Sequence, residues 1–164
     1  MNNKLLNLFK ADQADRTSAK IKSYGNTMEG WKLVTKRDTT RRRKVEEILK
    51  MGMKDLSSED YFHAAMVFQH GQKEKDYKMA VNLAKRSTEL GYEKAKWLYA
   101  AAQDRLLVNL GRKQKYGTQY QKRDGRWILM PVNKKTTDTQ RLKFNVMILR
   151  KAYTMAKKMN KDRY

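Results

Sequence analysis

Cysteine is absent from all 164 residues. That excludes disulfides, zinc–thiolate sites, iron–sulfur clusters and a thiol nucleophile. Proline occurs once and glycine eight times, while 40% of residues are hydrophobic and 34% charged. Such a composition favours a folded, helix-rich chain over a disordered one, with length for one domain and a real core. No apolar run approaches the roughly 20 residues needed to span a bilayer. The opening MNNKLLNLFKADQ is too short and interrupted in its apolar part for a signal peptide. The expectation is a cytoplasmic protein, or a phage-encoded one acting in a host cytoplasm. The phosphate-binding Gly-rich loop, HExxH, the nucleophile elbow and the Rossmann fingerprint are also missing.

Acidic residues are scarce: 17 Asp and Glu face 38 Lys and Arg, for a net charge of +21. The excess is segregated. Residues 1–50 carry +7, 51–111 only +1, 112–135 again +7 and 136–164 +6. A balanced middle between two basic ends points to a polyanionic partner, such as nucleic acid, a nucleotide-like ligand or an acidic membrane. An amphipathic last helix lying on a membrane ranks third, because its apolar face is needed to close the fold.

Hydrophobic spacing predicts a helix over 2–15, with Leu5, Leu8 and Phe9 on one stripe. That stripe continues into Asp12 and Arg16, an i,i+4 pair. The segment from Ser18 to Trp31 reads as a loop or broken helix. A second helix, 37–51, carries Val45, Ile48 and Leu49, and its stripe runs back to Arg41 or Arg42 and then Asp38. Two Asp/Arg pairs in line with core stripes suggest an inward polar network. The run Arg41-Arg42-Arg43-Lys44 cannot all turn inward, so part of it is solvated or touches an anion. Ser57-Ser58-Glu59-Asp60 signals a capped helix start, with Tyr61, Ala64, Ala65 and Phe68 inward. A fourth helix, 77–90, ends at Gly91.

The fifth helix, Glu93 to Leu110, is apolar apart from Asp104 and Arg105. A charged pair inside an apolar helix needs a partner or a purpose. Trp97 and Tyr99 read as core. Asp124-Gly125 is a hairpin turn between the β-prone runs 118–122 and 126–129. A final helix over 139–159 would point Leu142, Val146, Leu149, Tyr153 and Ala156 inward. The expected fold is mainly α: an antiparallel α-hairpin stack of about six helices, Sel1/TPR-like around 80–100, with one small β-hairpin near 118–129. Its parts are the N-terminal helices 1–16 and 37–51, a helical-hairpin core 58–111, a basic loop and hairpin 112–135, and a basic C-terminal helix 139–164.

Asp104-Arg105, Gly111, Gln114 and Tyr116-Gly117-Thr118-Gln119 together resemble the signature of an uncharacterised bacterial helical family, domain of unknown function 6624. Upstream, Asp12-Gln13 with Arg16, Asp38 with Arg42, and Gln69-His70 are similar to further elements of that family. The match runs from about residue 8 to 145, and the strong positive charge departs from it. The resemblance implies a site without implying a chemistry. Its catalytic candidates are Asp104, His70 and Asp38. Its ligand contacts would be Asp12, Gln13, Arg16, Arg42, Gln69, Arg105, Gln114, Tyr116, Gly117, Thr118 and Gln119.

Residue chemistry gives these positions roles. Asp104 would be a general base or ligand acceptor, Arg105 an anion clamp and His70 an acid or base. Each also has an architectural reading: Arg105 tying down a loop, His70 facing the carbonyls at its helix end, and 116–119 forming a simple turn. The turn's amides would otherwise cradle a phosphate or a base edge. His63 and His70 lie two turns apart, too far for helical ligand pairs, so neither metal nor cofactor is expected. The expected nucleic-acid contacts are Arg41, Arg43, Lys44, Arg112, Lys113, Lys115, Lys122, Arg123, Arg126 and Trp127. Two readings result: a binder of RNA or DNA, or a small enzyme or ligand-capturing protein with an Asp/Arg/His/Tyr/Gln pocket for a nucleotide-like anion. The oligomeric state is open.

Overall fold

The computed structural model describes residues 1–17, 20, 27–52 and 55–161. Among them are seven helices and one antiparallel hairpin, matching the expected mainly α class. The order is α1 (Asn3–Ala14), α2 (Met28–Gly52), α3 (Ser58–Gln69), α4 (Glu74–Glu89), α5 (Ala95–Asn109), β1 (Tyr120–Arg123), β2 (Arg126–Leu129), α6 (Asp138–Lys143) and α7 (Leu149–Lys161). Caps explain the boundaries. Ser57 and Asp60 exchange side-chain and backbone bonds as a capping box for α3. Helix α4 stops at Gly91 (φ +87°), where the amides of Gly91 and Tyr92 turn back onto Thr88 and Ser87.

Helices α3, α4 and α5 pack in succession, with α1 and α2 laid against α3. The main core joins Leu5, Val45, Leu49, Tyr61, Phe68, Leu83 and Leu98 through a floor of alanines, including Ala64, Ala65, Ala80 and Ala102. Small residues at these positions let helix axes approach closely. A separate cluster of Leu129, Val132 and Ala152, with Tyr120 and Leu149, docks α7 on the hairpin. Asn160 locks this unit: it accepts the Trp127 N–H at 2.7 Å and donates to the Trp127 carbonyl at 2.9 Å.

Three expectations are corrected. Helix α2 begins at Met28, nine residues before the expected start, because Thr27 caps it by accepting the Gly30 N–H at 3.1 Å. Residues 18–19 and 21–26 of the expected loop lie outside the described residues. The last helix is broken in two, since Asn145 adopts φ +55° and the Val146 amide bonds back to Arg141. Of the residues expected inward, Val146 and Ala156 are buried and Leu149 packs on the hairpin cluster, whereas Leu142 and Tyr153 are about half exposed, at 57% and 49%. Trp97, expected in the core, is 48% exposed; Tyr99 packs against Phe144. No helix among the described residues is long and apolar enough to cross a membrane.

Candidate functional site

Asp104 is fully buried, and its partner is a turn. Oδ1 accepts the amides of Lys115 and Tyr116 at 2.7 and 2.8 Å; Oδ2 accepts those of Gly117 and Thr118 at 2.8 and 3.0 Å. The Thr118 hydroxyl adds a fifth bond at 2.9 Å. Gly117 makes the wrap feasible with φ +92°. This corrects two expectations. Asp104 has no free lone pair or solvent access for base catalysis, and the 115–118 amides hold the protein's own carboxylate instead of a phosphate. The remaining signature residues brace the same turn. Gln114, fully buried, donates to the Gln119 and Met130 carbonyls and accepts the Gln119 amide. Tyr116 packs on Phe144 and Val146, and its carbonyl accepts Arg141 Nε at 2.9 Å. Burial, then the Asp104 charge, raises the Tyr116 phenol above its ordinary range.

The other aspartates gather arginines. Asp12, also fully buried, accepts Arg16 at 2.9 Å and Gln13 at 2.8 Å, with His70 Nδ1 at 2.9 Å from Oδ2. Arg16 reaches on to Asp38 at 2.7 Å. Arg41 bridges Asp38 and Asp15, and Arg37 also holds Asp15, at 2.9 Å. Three carboxylates and three guanidiniums therefore interlock between α1 and α2. Burial works against the Arg41 charge, but Asp38, Asp15 and Asp12 outweigh it and hold its pKa above the usual value. Arg41 is thus a correction to the expected nucleic-acid contacts: at 7% exposure it is an inward strut. Asp38, proposed as catalytic, is likewise consumed by two arginines. Arg42 bonds the His70 carbonyl at 3.2 Å and pairs with Asp76 at 3.5 Å.

His70 retains chemical capacity. A carboxylate only accepts, so Nδ1 donates its proton to Asp12, and in the neutral ring Nε2 would hold the lone pair. Nε2 has no protein hydrogen bond among the described residues, and the side chain is 19% exposed. The residue before it, Gln69, is buried with Oε1 unpartnered, and its carbonyl is held by Arg105 Nη1 at 2.7 Å. Arg105 Nε donates to Gln119 Oε1 at 3.1 Å. No Asp or Glu pairs with Arg105 among the described residues. Burial first, then Arg16, lowers its pKa, with Tyr77 opposing. His63, by contrast, stacks on Phe9 at 4.6 Å, and burial lowers its pKa. The two histidines have different partners.

The remaining basic candidates lie outside. Arg43 and Lys44 are exposed on α2, Arg43 reaching Glu47 at 3.9 Å. Arg112, Lys113, Lys115, Lys122, Arg123 and Arg126 are exposed, and Trp127 is partly so. Register places Arg123 directly opposite Arg126 at the hairpin tip. Sequence reasoning missed Asp15, Asp76, Arg141 and Asn160. Asp15 had a signal, since Arg37 and Arg41 repeat at i,i+4 across from it; the other three had none. No family model, curated protein or solved structure matches the chain.

Proposed function

We propose that this chain binds a phosphate-rich polyanion, RNA or DNA, through the 112–115 loop, the hairpin tip and the outer side of α7. The supporting observation is charge without counter-charge. From Arg112 to Lys161 every Lys and Arg except Arg141 is exposed, and among the described residues Arg123 alone of the exposed ones has a carboxylate near, Asp124 at 4.0 Å. Helix α7 carries no acidic residue; Arg150, Lys151, Lys157, Lys158 and Lys161 lie opposite its buried alanines. Arg123 facing Arg126 is an unfavourable like-charge pair that a bridging phosphate would relieve. Trp127, beside Arg126, offers an aromatic surface for a base.

The test is a mobility-shift titration comparing two double reversals of equal charge. Lys151→Glu/Lys158→Glu should weaken binding about tenfold or more at moderate salt. Lys78→Glu/Lys85→Glu changes α4 lysines already paired with Glu74 and Glu89 and should do far less. Equal losses would mean that net charge alone matters and that this face has no special role.

The Asp12–His70 contact favours a second reading, a small enzyme acting on a nucleotide-like anion with His70 as the base. His70→Ala would abolish turnover without changing polyanion affinity. We also propose kinship with domain of unknown function 6624, carried by Asp104-Arg105 and the Gln114–Gln119 signature; its test is an alignment that keeps these positions in register.

A further inference from the structure

A cleft of about 330 Å³ opens between α4, α5 and the start of the hairpin, lined by Tyr77, Arg105, Gln119, Tyr120 and Gln121 among others. Its notable member is Arg105. The guanidinium is largely withdrawn from water, yet its bonds go to neutral groups, the Gln69 carbonyl and the Gln119 carboxamide. Arg16 also lies near, but its charge is engaged by Asp12 and Asp38. Elsewhere in the fold, buried arginines have carboxylates: Arg41 has Asp15 and Asp38, and Arg141 has Asp138. A desolvated cation with no counter-ion is costly, and an anion entering the adjoining cleft removes that cost.

The walls indicate what accompanies the anion. Tyr77 is half-buried, and its phenol, which interacts electrostatically with Arg105, makes no hydrogen bond among the described residues. Gln121 is exposed on β1 and brings a free carboxamide. An aromatic ring and carboxamides beside a guanidinium suit a planar, hydrogen-bonding group carried on a phosphate. We propose that this cleft binds one nucleotide, its phosphate on Arg105 and its base against Tyr77 and the Gln121 side. The site goes beyond the basic face. It needs no long polyanion, and its nucleotide is either free or one residue of a bound strand.

The experiment follows the Arg105 Nε–H signal by ¹H–¹⁵N NMR during titration with adenosine 5′-monophosphate, adenosine and a short oligoadenylate. Adenosine 5′-monophosphate should shift that signal saturably and adenosine should not. Arg105→Gln should weaken binding by about tenfold or more. Because Arg105 also braces the end of α3, Tyr77→Ala serves as a second variant and should weaken nucleotide binding with the Asp104-turn amide signals unmoved. A response to oligoadenylate but not to the mononucleotide supports the site with a strand as the source. No movement of Arg105 with either ligand overturns it. The hairpin and α7 reversals should leave mononucleotide binding in place, so failure of the basic face and failure of the cleft are separately visible.

Discussion

Residues 1–50 and 112–135 carry the same net charge, +7, yet the fold uses their arginines in opposite ways. Every arginine of the first segment has a carboxylate within 4 Å: Arg16 and Arg41 with Asp12 and Asp38, Arg37 with Asp15, Arg42 with Asp76, Arg43 with Glu47. Among the described residues of the protein, Arg112 and Arg126 of the second segment have none and Arg123 has only the exposed Asp124, at 4.0 Å. The difference is one of supply: α1 and α2 bring their own aspartates into register with the arginines, whereas Asp124 is the sole carboxylate of 112–135. Arginines of one segment thus serve largely as architecture, while those of the other join the exposed lysines as available charge.

If that division holds, stability and polyanion affinity respond to different residues. The largest expected effect is Asp104→Ala. Four turn amides lose their acceptor, and a loss of about 4 kcal/mol or more is expected by chemical denaturation, enough to disorder the 115–118 turn. Arg41→Met comes next. It removes one of the two guanidiniums held by each of Asp15 and Asp38, leaving Arg37 and Arg16 in place, and should cost about 2 kcal/mol, while a folded sample keeps its nucleic-acid affinity. A comparable affinity loss would break the comparison.

Acid should act through His63. Burial lowers its folded pKa, with Glu59 and Asp60 opposing and Lys10 assisting. The unfolded chain therefore binds the proton more readily, so this contribution is intact above the ordinary histidine value and lost as pH falls through the lowered folded value. Melting temperature should drop progressively from about pH 7 to about pH 5, and His63→Gln should flatten that part of the curve. The smallest effect has the opposite sign. Arg126→Thr removes a like-charge cross-strand pair and should stabilise the hairpin by about 0.3 kcal/mol, yet weaken polyanion binding.

Much of the helical scaffold was legible, because caps such as Ser57–Asp60 and terminators such as Gly91 act locally. The inward polar network was legible in outline from Asp12–Arg16 and Asp38, since i,i+4 spacing fixes a face. Its full membership was not: both Arg41 and Arg42 turn inward because long side chains reach sideways off the stripe to Asp15 and Asp76. Asp104 announced its need for a partner, but the partner is backbone 11 to 14 residues away, which side-chain periodicity cannot reveal. The break in the last helix was not legible, since one left-handed Asn145 carries no periodic signal, yet Val146 and Ala156 beyond it are buried as expected.

The most direct measurement is fluorescence anisotropy of labelled RNA and DNA against the intact protein over a series of salt concentrations. Phosphate contacts by the unpaired cations predict a linear fall of log affinity with log salt, with a slope of about one contact per unit for duplex DNA. That slope should shrink by about two units in Lys151→Glu/Lys158→Glu and stay unchanged in Lys78→Glu/Lys85→Glu. Binding that is absent at physiological salt, or a slope indifferent to both pairs, would contradict the account.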